Sequence, residues 1–224
     1  MISPAEFIPI AEESGLIYKI GDWVMQTAIQ QKAKWEQKGY PHLKMSINVS
    51  GHSLIEPEFV SHVKKLLAET GVVGEEIQLE ITETALIRKM NASISALREL
   101  RDMKIHIALD DFGTGYSSLT YLKNLPIDVV KLDCTFVRDM LVNGHDNVIV
   151  GSVIQLTRDL HLQIVAEGIE NERQLFALQG NECDFGQGYL FSKPITNGEL
   201  ESFMTNSAYQ TMKCISTDHK RNTY

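Results

Sequence analysis

The 224-residue chain is 43% hydrophobic and 22% charged, a balance that buries a sizeable core and excludes collagen-like and low-complexity classes. Its 21 basic against 29 acidic residues give a net charge of −8, which excludes the electrostatic footprint of a protein that grips long nucleic acid. No apolar run reaches the roughly 18 residues of a membrane span, the N-terminus is not signal-like, and Cys134, Cys183 and Cys214 lack paired metal-ligand spacing, so a cytoplasmic domain with reduced thiols is the expectation.

Ser3-Pro4-Ala5-Glu6 opens the first predicted helix, with Ser3 as its cap, Pro4 in the first turn and Glu6 closing a capping box. A second helix is expected from Asp22 to Gln37, stopped by Gly39. From there on, short β-branched runs alternate with longer amphipathic stretches, the signature of βα units around a largely parallel sheet. The expected strands are Met45–Val49, Ile77–Ile81, His106–Asp110, Val129–Leu132, Gln163–Ala166 and Gly188–Phe191. Between them fall helices at Pro57–Glu69, Asn91–Met103, Asn147–Leu160, Asn171–Leu178 and Asn197–Met204, several opening on an Asn or closing before a glycine. One domain over residues 1–204 is expected, with a polar, aperiodic tail over 205–224.

Each predicted strand delivers polar or charged groups to one end: Asn48; Glu80 and Glu83; Asp110 and Asp111; Lys131 and Asp133; Glu167 and Glu170; and Gln187. A doubly wound sheet gathers function at one switch point, whereas a closed (β/α) barrel collects it from all strands on its C-terminal face. The even spread therefore predicts a barrel. Taken singly, each group has a plainer reading. Glu80 and Glu83 suit a solvated strand end, Asp110-Asp111-Phe112-Gly113-Thr114-Gly115 a glycine turn, Lys131 a snorkelling side chain or partner of Asp133, and Asn48 and Gln187 backbone satisfaction. Taken together, the carboxylates, an amide and a lysine form a hard, oxygen-rich set suited to Mg²⁺ or Mn²⁺, because such a crowd of anions is costly without cations. Adjacent carboxylates such as Asp110 and Asp111 suit a pair of ions acting on a phosphodiester, and a lysine supports the negative charge that develops there. The seven histidines show no zinc spacing, and the sequence carries no nucleophile elbow, Walker loop or dinucleotide fingerprint.

Eight segments resemble, in order, the motifs of the EAL-type cyclic di-GMP phosphodiesterases. They are Ser-Pro-Ala-Glu-Phe-Ile-Pro at 3–9, Ala-Glu-Glu-Ser-Gly-Leu-Ile at 11–17, Ser-Ile-Asn-Val-Ser at 46–50 and Leu-Glu-Ile-Thr-Glu-Thr at 79–84. Leu-Asp-Asp-Phe-Gly-Thr-Gly-Tyr-Ser-Ser-Leu at 109–119, Val-Lys-Leu-Asp at 130–133, Val-Ala-Glu-Gly-Ile-Glu at 165–170 and Gly-Gln-Gly-Tyr-Leu-Phe at 186–191 complete the set. The resemblance implies an α/β fold of the TIM-type (β/α) barrel and two divalent ions, Mg²⁺ or Mn²⁺. It also implies cyclic di-GMP as the substrate, hydrolysed to linear pGpG. Asn48, Glu80 and Asp110 resemble ligands of one ion, and Asp111 and Glu167 contributors to the second. Lys131 resembles the lysine beside the attacking water, and Gln187 the glutamine that holds that water and the metal shell. Glu83 resembles the glutamate that orders the Asp-Asp-Phe-Gly-Thr-Gly loop, Glu170 an outer support, and Asp133, with Lys131, a substrate contact.

In that family two strands precede the Ser-Pro-Ala-Glu-Phe segment, and the second carries a Glu-Ala-Leu tripeptide whose glutamate is a metal ligand, with a phosphate-contacting arginine close behind. The present sequence starts at Met1-Ile2-Ser3-Pro4, so the expectation is a barrel with about six of its eight strands and impaired hydrolysis. Open sheet edges predict self-association, moderated by dimerisation through Asp110–Ser118, and an upstream sensor domain in the native gene fits the same resemblance. Two further readings stay open. One is an EAL module that binds cyclic di-GMP or a protein partner without hydrolysis, and the other an aldolase-like barrel in which Lys131 forms a Schiff base.

Overall fold

The structure is a computed structural model and describes residues 2–40, 43–88, 90–114, 122–142 and 144–205. The expected polar tail beyond residue 205 and the Gly115–Ser118 part of the expected dimer segment lie outside the described residues. The chain divides into two compact units between Val130 and Lys131, inside the fourth strand, β4 (Val129–Leu132).

The first unit begins with α1 (Pro4–Ser14) and α2 (Leu16–Gln37), followed by β1 (Met45–Asn48), the short α3 (Gly51–Leu54) and α4 (Phe59–Thr70). Next come β2 (Ile77–Thr82), α5 (Glu83–Arg88), α6 (Met90–Asp102) and β3 (His106–Phe112). β1 runs parallel to β2 with Asn48 opposite Glu80, and β2 runs parallel to β3 with Thr82 opposite Asp110. Ile77, Leu79 and Ile81 are fully buried and Gln78 nearly so, as expected of a parallel strand covered on both faces. The expected capping box at Ser3 does not form. Ser3 occupies the cap position without a side-chain bond, and its backbone carbonyl accepts from the amides of Glu6 and Phe7 instead. α2 starts at Leu16, six residues before the expected Asp22. The left-handed Gly15 (φ 74°) ends one helix and admits the next, and Ile17 is buried in the first turn gained.

The second unit contains the end of β4, then α7 (Cys134–Asp139), α8 (Gly144–Asp159), β5 (Gln163–Ala166), α9 (Glu172–Gly180), β6 (Phe185–Gly186) and α10 (Asn197–Thr205). Leu132, Val137, Met140, Val150, Ile154, Ile164, Ala166, Ile169 and Leu178 form its core. β6 pairs parallel with β5 through Phe185 and Gly186, so the last strand lies upstream of the expected Gly188–Phe191. The backbone at Gly188 explains the shift: a Cβ there would meet the Ile169 carbonyl oxygen at 2.2 Å, and the chain turns, with the Phe191 amide donating to the Gly188 carbonyl at 3.1 Å. The strand order is β1-β2-β3-β4-β5-β6. A sequential order without reversal belongs to the singly wound (β/α) class expected from the sequence, not to a doubly wound sheet. No helix among the described residues is long and apolar enough to cross a membrane.

One joint recurs where helices hand over to strands. At Gly39, Lys104, His161 and Glu182 the backbone is left-handed (φ 88°, 63°, 59° and 59°). The next amide reaches back five residues each time: Tyr40 to Trp35, Ile105 to Leu100, Leu162 to Thr157 and Cys183 to Leu178. This is a Schellman-type helix ending. A second device pins strand starts: Asp128 accepts from the Ile107 amide and Asp184 from the Ile164 amide, both at 2.9 Å.

The first unit also carries a fully buried cation. Lys32 of α2 has no exposed surface, and its Nζ lies 2.9 Å from Glu36 and 2.9 Å from Glu76, in the turn leading into β2. A buried ammonium is tolerable only with such partners. Glu36→Gln with Glu76→Gln removes two counter-charges from it and is expected to cost about 3–5 kcal/mol. Lys32→Met keeps the packing of the stem and leaves two part-exposed carboxylates that water can reach, so its cost is expected to be smaller. Urea midpoints should therefore fall from wild type to Lys32→Met to the double variant, and the reverse order of the variants would refute the assignment.

Candidate functional site

In the first unit the candidates sit where strands end. Asn48 closes β1 opposite Glu80, while Glu80 lies opposite Ala108 of β3. Because strand side chains alternate, Asp110, two residues beyond Ala108, shares a face with Asn48 and Glu80. Glu80 and Asp110 are only 8% and 9% exposed, and Asn48 is exposed. Glu80 Oε1 accepts from the Gln78 side-chain amide at 3.2 Å, and Gln78 in turn reaches Ser46 at 3.1 Å. Asp110 Oδ1 accepts from the Asp111 amide at 3.0 Å. Asp111 is left-handed, with φ 55°, a conformation that costs a side-chain-bearing residue about 1–2 kcal/mol. That twist breaks the alternation, so two consecutive carboxylates are not sent to opposite faces as a regular strand would send them. Glu83, buried at the start of α5, accepts from the Gly113 amide at 3.3 Å, tying α5 to the turn after β3.

In the second unit Lys131 of β4 is 4% exposed, and its Nζ lies 2.8 Å from Glu167 Oε1. Lys131 thus pairs with Glu167 and not with Asp133. Asp133 caps α7, accepting from the Thr135 amide at 2.9 Å and from the Thr135 hydroxyl. Glu167 follows β5 directly, and its amide donates to the Leu132 carbonyl at 3.1 Å. Gln187 follows β6: its amide donates to Ala166 at 2.8 Å and its carbonyl accepts from Ile169 at 3.0 Å, while its side chain is exposed. Glu170 is exposed, with its amide bonded to Gln174 Oε1 at 2.8 Å. Burial, followed by the Asp133 and Glu167 charges, raises the Cys134 thiol above its usual range.

Gly168 and Gln174 escaped the sequence reading. Gly168 has φ 74°, and a Cβ on it would lie 2.5 Å from Cys134 Cβ, so the residue after Glu167 must be glycine for the two loops to approach. Gln174 stands three residues after Asn171, the spacing of the capping box that the structure forms there. That spacing was a readable signal.

The donors fit a hard divalent ion. In the first unit two largely buried carboxylates and an amide share one strand face, and in the second a carboxylate is fixed by a buried ammonium. Oxygen donors of this kind suit Mg²⁺ or Mn²⁺ better than softer metals.

The family model of the EAL domain matches residues 1–194. This chain belongs to the EAL domain family. It is 36% identical over 204 residues to the cyclic di-GMP phosphodiesterase NbdA of Pseudomonas aeruginosa, covering 91% of this chain and 26% of that protein. It is 38% identical over 203 residues to the cyclic di-GMP phosphodiesterase PA2567 of the same organism, covering 91% and 34%. The EAL chain thus spans about a quarter to a third of the length of these curated relatives. Among solved structures, the PaMucR phosphodiesterase in complex with c-di-GMP superposes with a TM-score of 0.85 at 37% identity, covering 89% of this chain and 81% of that one. The EAL domain of Mycobacterium smegmatis DcpA superposes at 0.79 with 37% identity, covering 84% of each. The α/β fold expected from the motifs is therefore the fold of the family.

Gly168→Ala adds a methyl to a left-handed residue facing Cys134 and is expected to lower stability by roughly 2–4 kcal/mol. Cys134→Gly in the same chain removes the facing Cβ and should recover the contact share of that loss, leaving the backbone share. A double-mutant cycle in urea checks this, and strictly additive effects would show that the two residues do not touch.

Proposed function

We propose that this EAL domain hydrolyses cyclic di-GMP, opening one phosphodiester to give linear pGpG with Mg²⁺ or Mn²⁺. The observation that carries the reading is the pairing of buried Lys131 with the part-buried Glu167, 2.8 Å apart at the strand ends, in a chain whose relatives include phosphodiesterases by name. Asn48, Glu80, Asp110 and Asp111 from the first unit and Glu167 from the second are assigned as metal ligands, on the family resemblance and on the oxygen-rich strand ends described above. When bound, divalent ions supply the positive charge that a phosphodiester requires and acidify water.

The chain's own groups do the remaining work in this reading. The Lys131 ammonium holds Glu167 in one orientation and offers positive charge where negative charge develops on phosphate oxygens. It also donates a hydrogen bond to the attacking water and so directs a lone pair at phosphorus. Gln187 adds a neutral donor and acceptor that orients the same water. Glu83 holds the turn after β3 through Gly113, Asp133 contacts substrate, and Glu170 supports the loop after Glu167. A domain with a net charge of −8 does not attract a dianionic cyclic dinucleotide by its overall field, so local cations carry recognition. The same resemblance supports a cytoplasmic setting, pairing of two copies through Asp110–Ser118 and control by a sensor domain elsewhere in the native protein.

Incubation with cyclic di-GMP and Mg²⁺ or Mn²⁺ should yield pGpG on chromatography, with Lys131→Met and Glu167→Gln each lowering the rate by about 10²–10⁴-fold. Retained metal-dependent binding without pGpG would assign a binding module. Schiff-base trapping at Lys131 would assign the aldolase-like alternative. Independently of turnover, Mg²⁺ should raise the melting temperature by mass action, and Asp110→Asn should remove most of that rise while Glu69→Gln at an exposed helix position does not. Equal metal responses in the two variants, with no nucleotide binding, would refute the proposal.

A further inference from the structure

We infer that Gln174 is a positioning residue for Glu167, fastening the loop that follows β5 to the helix that follows β4. The inference rests on the proposed role of Glu167. Gln174 lies on α9, away from every motif that carries the family resemblance, yet it is 4% exposed. Its side chain spends its hydrogen-bonding capacity across two segments. Oε1 accepts from the amides of Glu170 at 2.8 Å and Asn171 at 3.2 Å, and Nε2 donates to the Val137 carbonyl at 3.2 Å. Its own amide is held by the Asn171 side chain at 3.1 Å.

The geography makes this more than a helix cap. Val137 belongs to α7, which starts three residues after Lys131, and Glu170 ends the four-residue stretch that starts at Glu167. One buried amide thus fixes the downstream ends of both segments that carry the 2.8 Å Lys131–Glu167 pair. Gly168 against Cys134 is a second contact between the same segments, and Ile169, buried in the core, lies between the two attachment points. Loss of the amide leaves the part-buried amides of Glu170 and Asn171 and the buried Val137 carbonyl to find new partners. The relief available is for the 167–171 loop to move outward, carrying the Glu167 carboxylate with it. A misplacement of about 1 Å is enough to cost on the order of a hundredfold in a reaction that depends on alignment.

The full chain is tested with Gln174→Met, which keeps volume and removes all three side-chain bonds, and Gln174→Glu, which keeps an acceptor for the two loop amides. Asn171→Ala is the control, since it weakens the start of α9 and leaves the Gln174 side chain intact. Hydrogen exchange at the Glu170 and Asn171 amides should accelerate by about tenfold or more in Gln174→Met, return most of the way in Gln174→Glu, and change little in Asn171→Ala even where its melting temperature falls as far. With cyclic di-GMP and Mn²⁺, Gln174→Met should lower kcat with KM nearly unchanged. Unchanged exchange in Gln174→Met would overturn the inference, as would rate losses that follow melting temperature alone across the three variants. An inactive wild-type chain would count against the proposed function, while the exchange measurements would still decide whether Gln174 holds the loop.

Discussion

Withdrawing an ionised group from water is costly unless an opposite charge or a set of donors meets it, and this chain does it at both ends of its strands. Lys32 is enclosed at the start of β2 by Glu36 and Glu76. Lys131 is enclosed near the end of β4 and meets Glu167. The helices and loops around these groups are constrained to keep the partners in reach. That constraint places Glu36 one helical turn after Lys32 and brings Glu76, just before β2, against α2.

The two lysines also separate the labour of the strand ends. Before the strands lie closed arrangements that hold the fold: the Lys32 pairs, the 2.8 Å Arg101–Asp128 bridge, and the aspartates that take the second amides of β3 and β5. In the last part of the strands, or directly beyond it, lie the candidate groups Asn48, Glu80, Asp110, Asp111 and Glu167. Parallel βα units sort residues this way because every strand points in one direction, so all C-terminal ends present their loops together.

Most of this was legible in the sequence. Parallel strands read as nearly continuous apolar runs, which placed the first five within two residues of where they form, and the polar residues closing those runs announced the candidate groups. The sixth strand misled because Gly-Tyr-Leu-Phe has the composition of a strand, whereas Gly188 is needed for close passage against Ile169. Ser3-Pro4-Ala5-Glu6 had the letters of a capping box that the backbone at Ser3 does not use, and Asn171 with Gln174 had the letters of one that forms. The pairing of Lys131 with Glu167 could not be read, because a partner 36 positions away is set by the packing of neighbouring strands and not by local spacing.

The helix-to-strand joints carry a consequence for how the chain can change. Four of them adopt the same left-handed turn, yet only Gly39 uses the residue for which that turn is free of Cβ strain; Lys104, His161 and Glu182 do not. Each non-glycine joint carries a penalty of about 1–2 kcal/mol, which a glycine would relieve at a backbone-entropy cost of about 0.5–1 kcal/mol. Three positions on the opposite side of the strands from the candidate groups therefore hold an unclaimed reserve of robustness. A lineage under pressure to alter the loops that follow the strands could draw on it first, and absorb destabilising changes there without losing the fold.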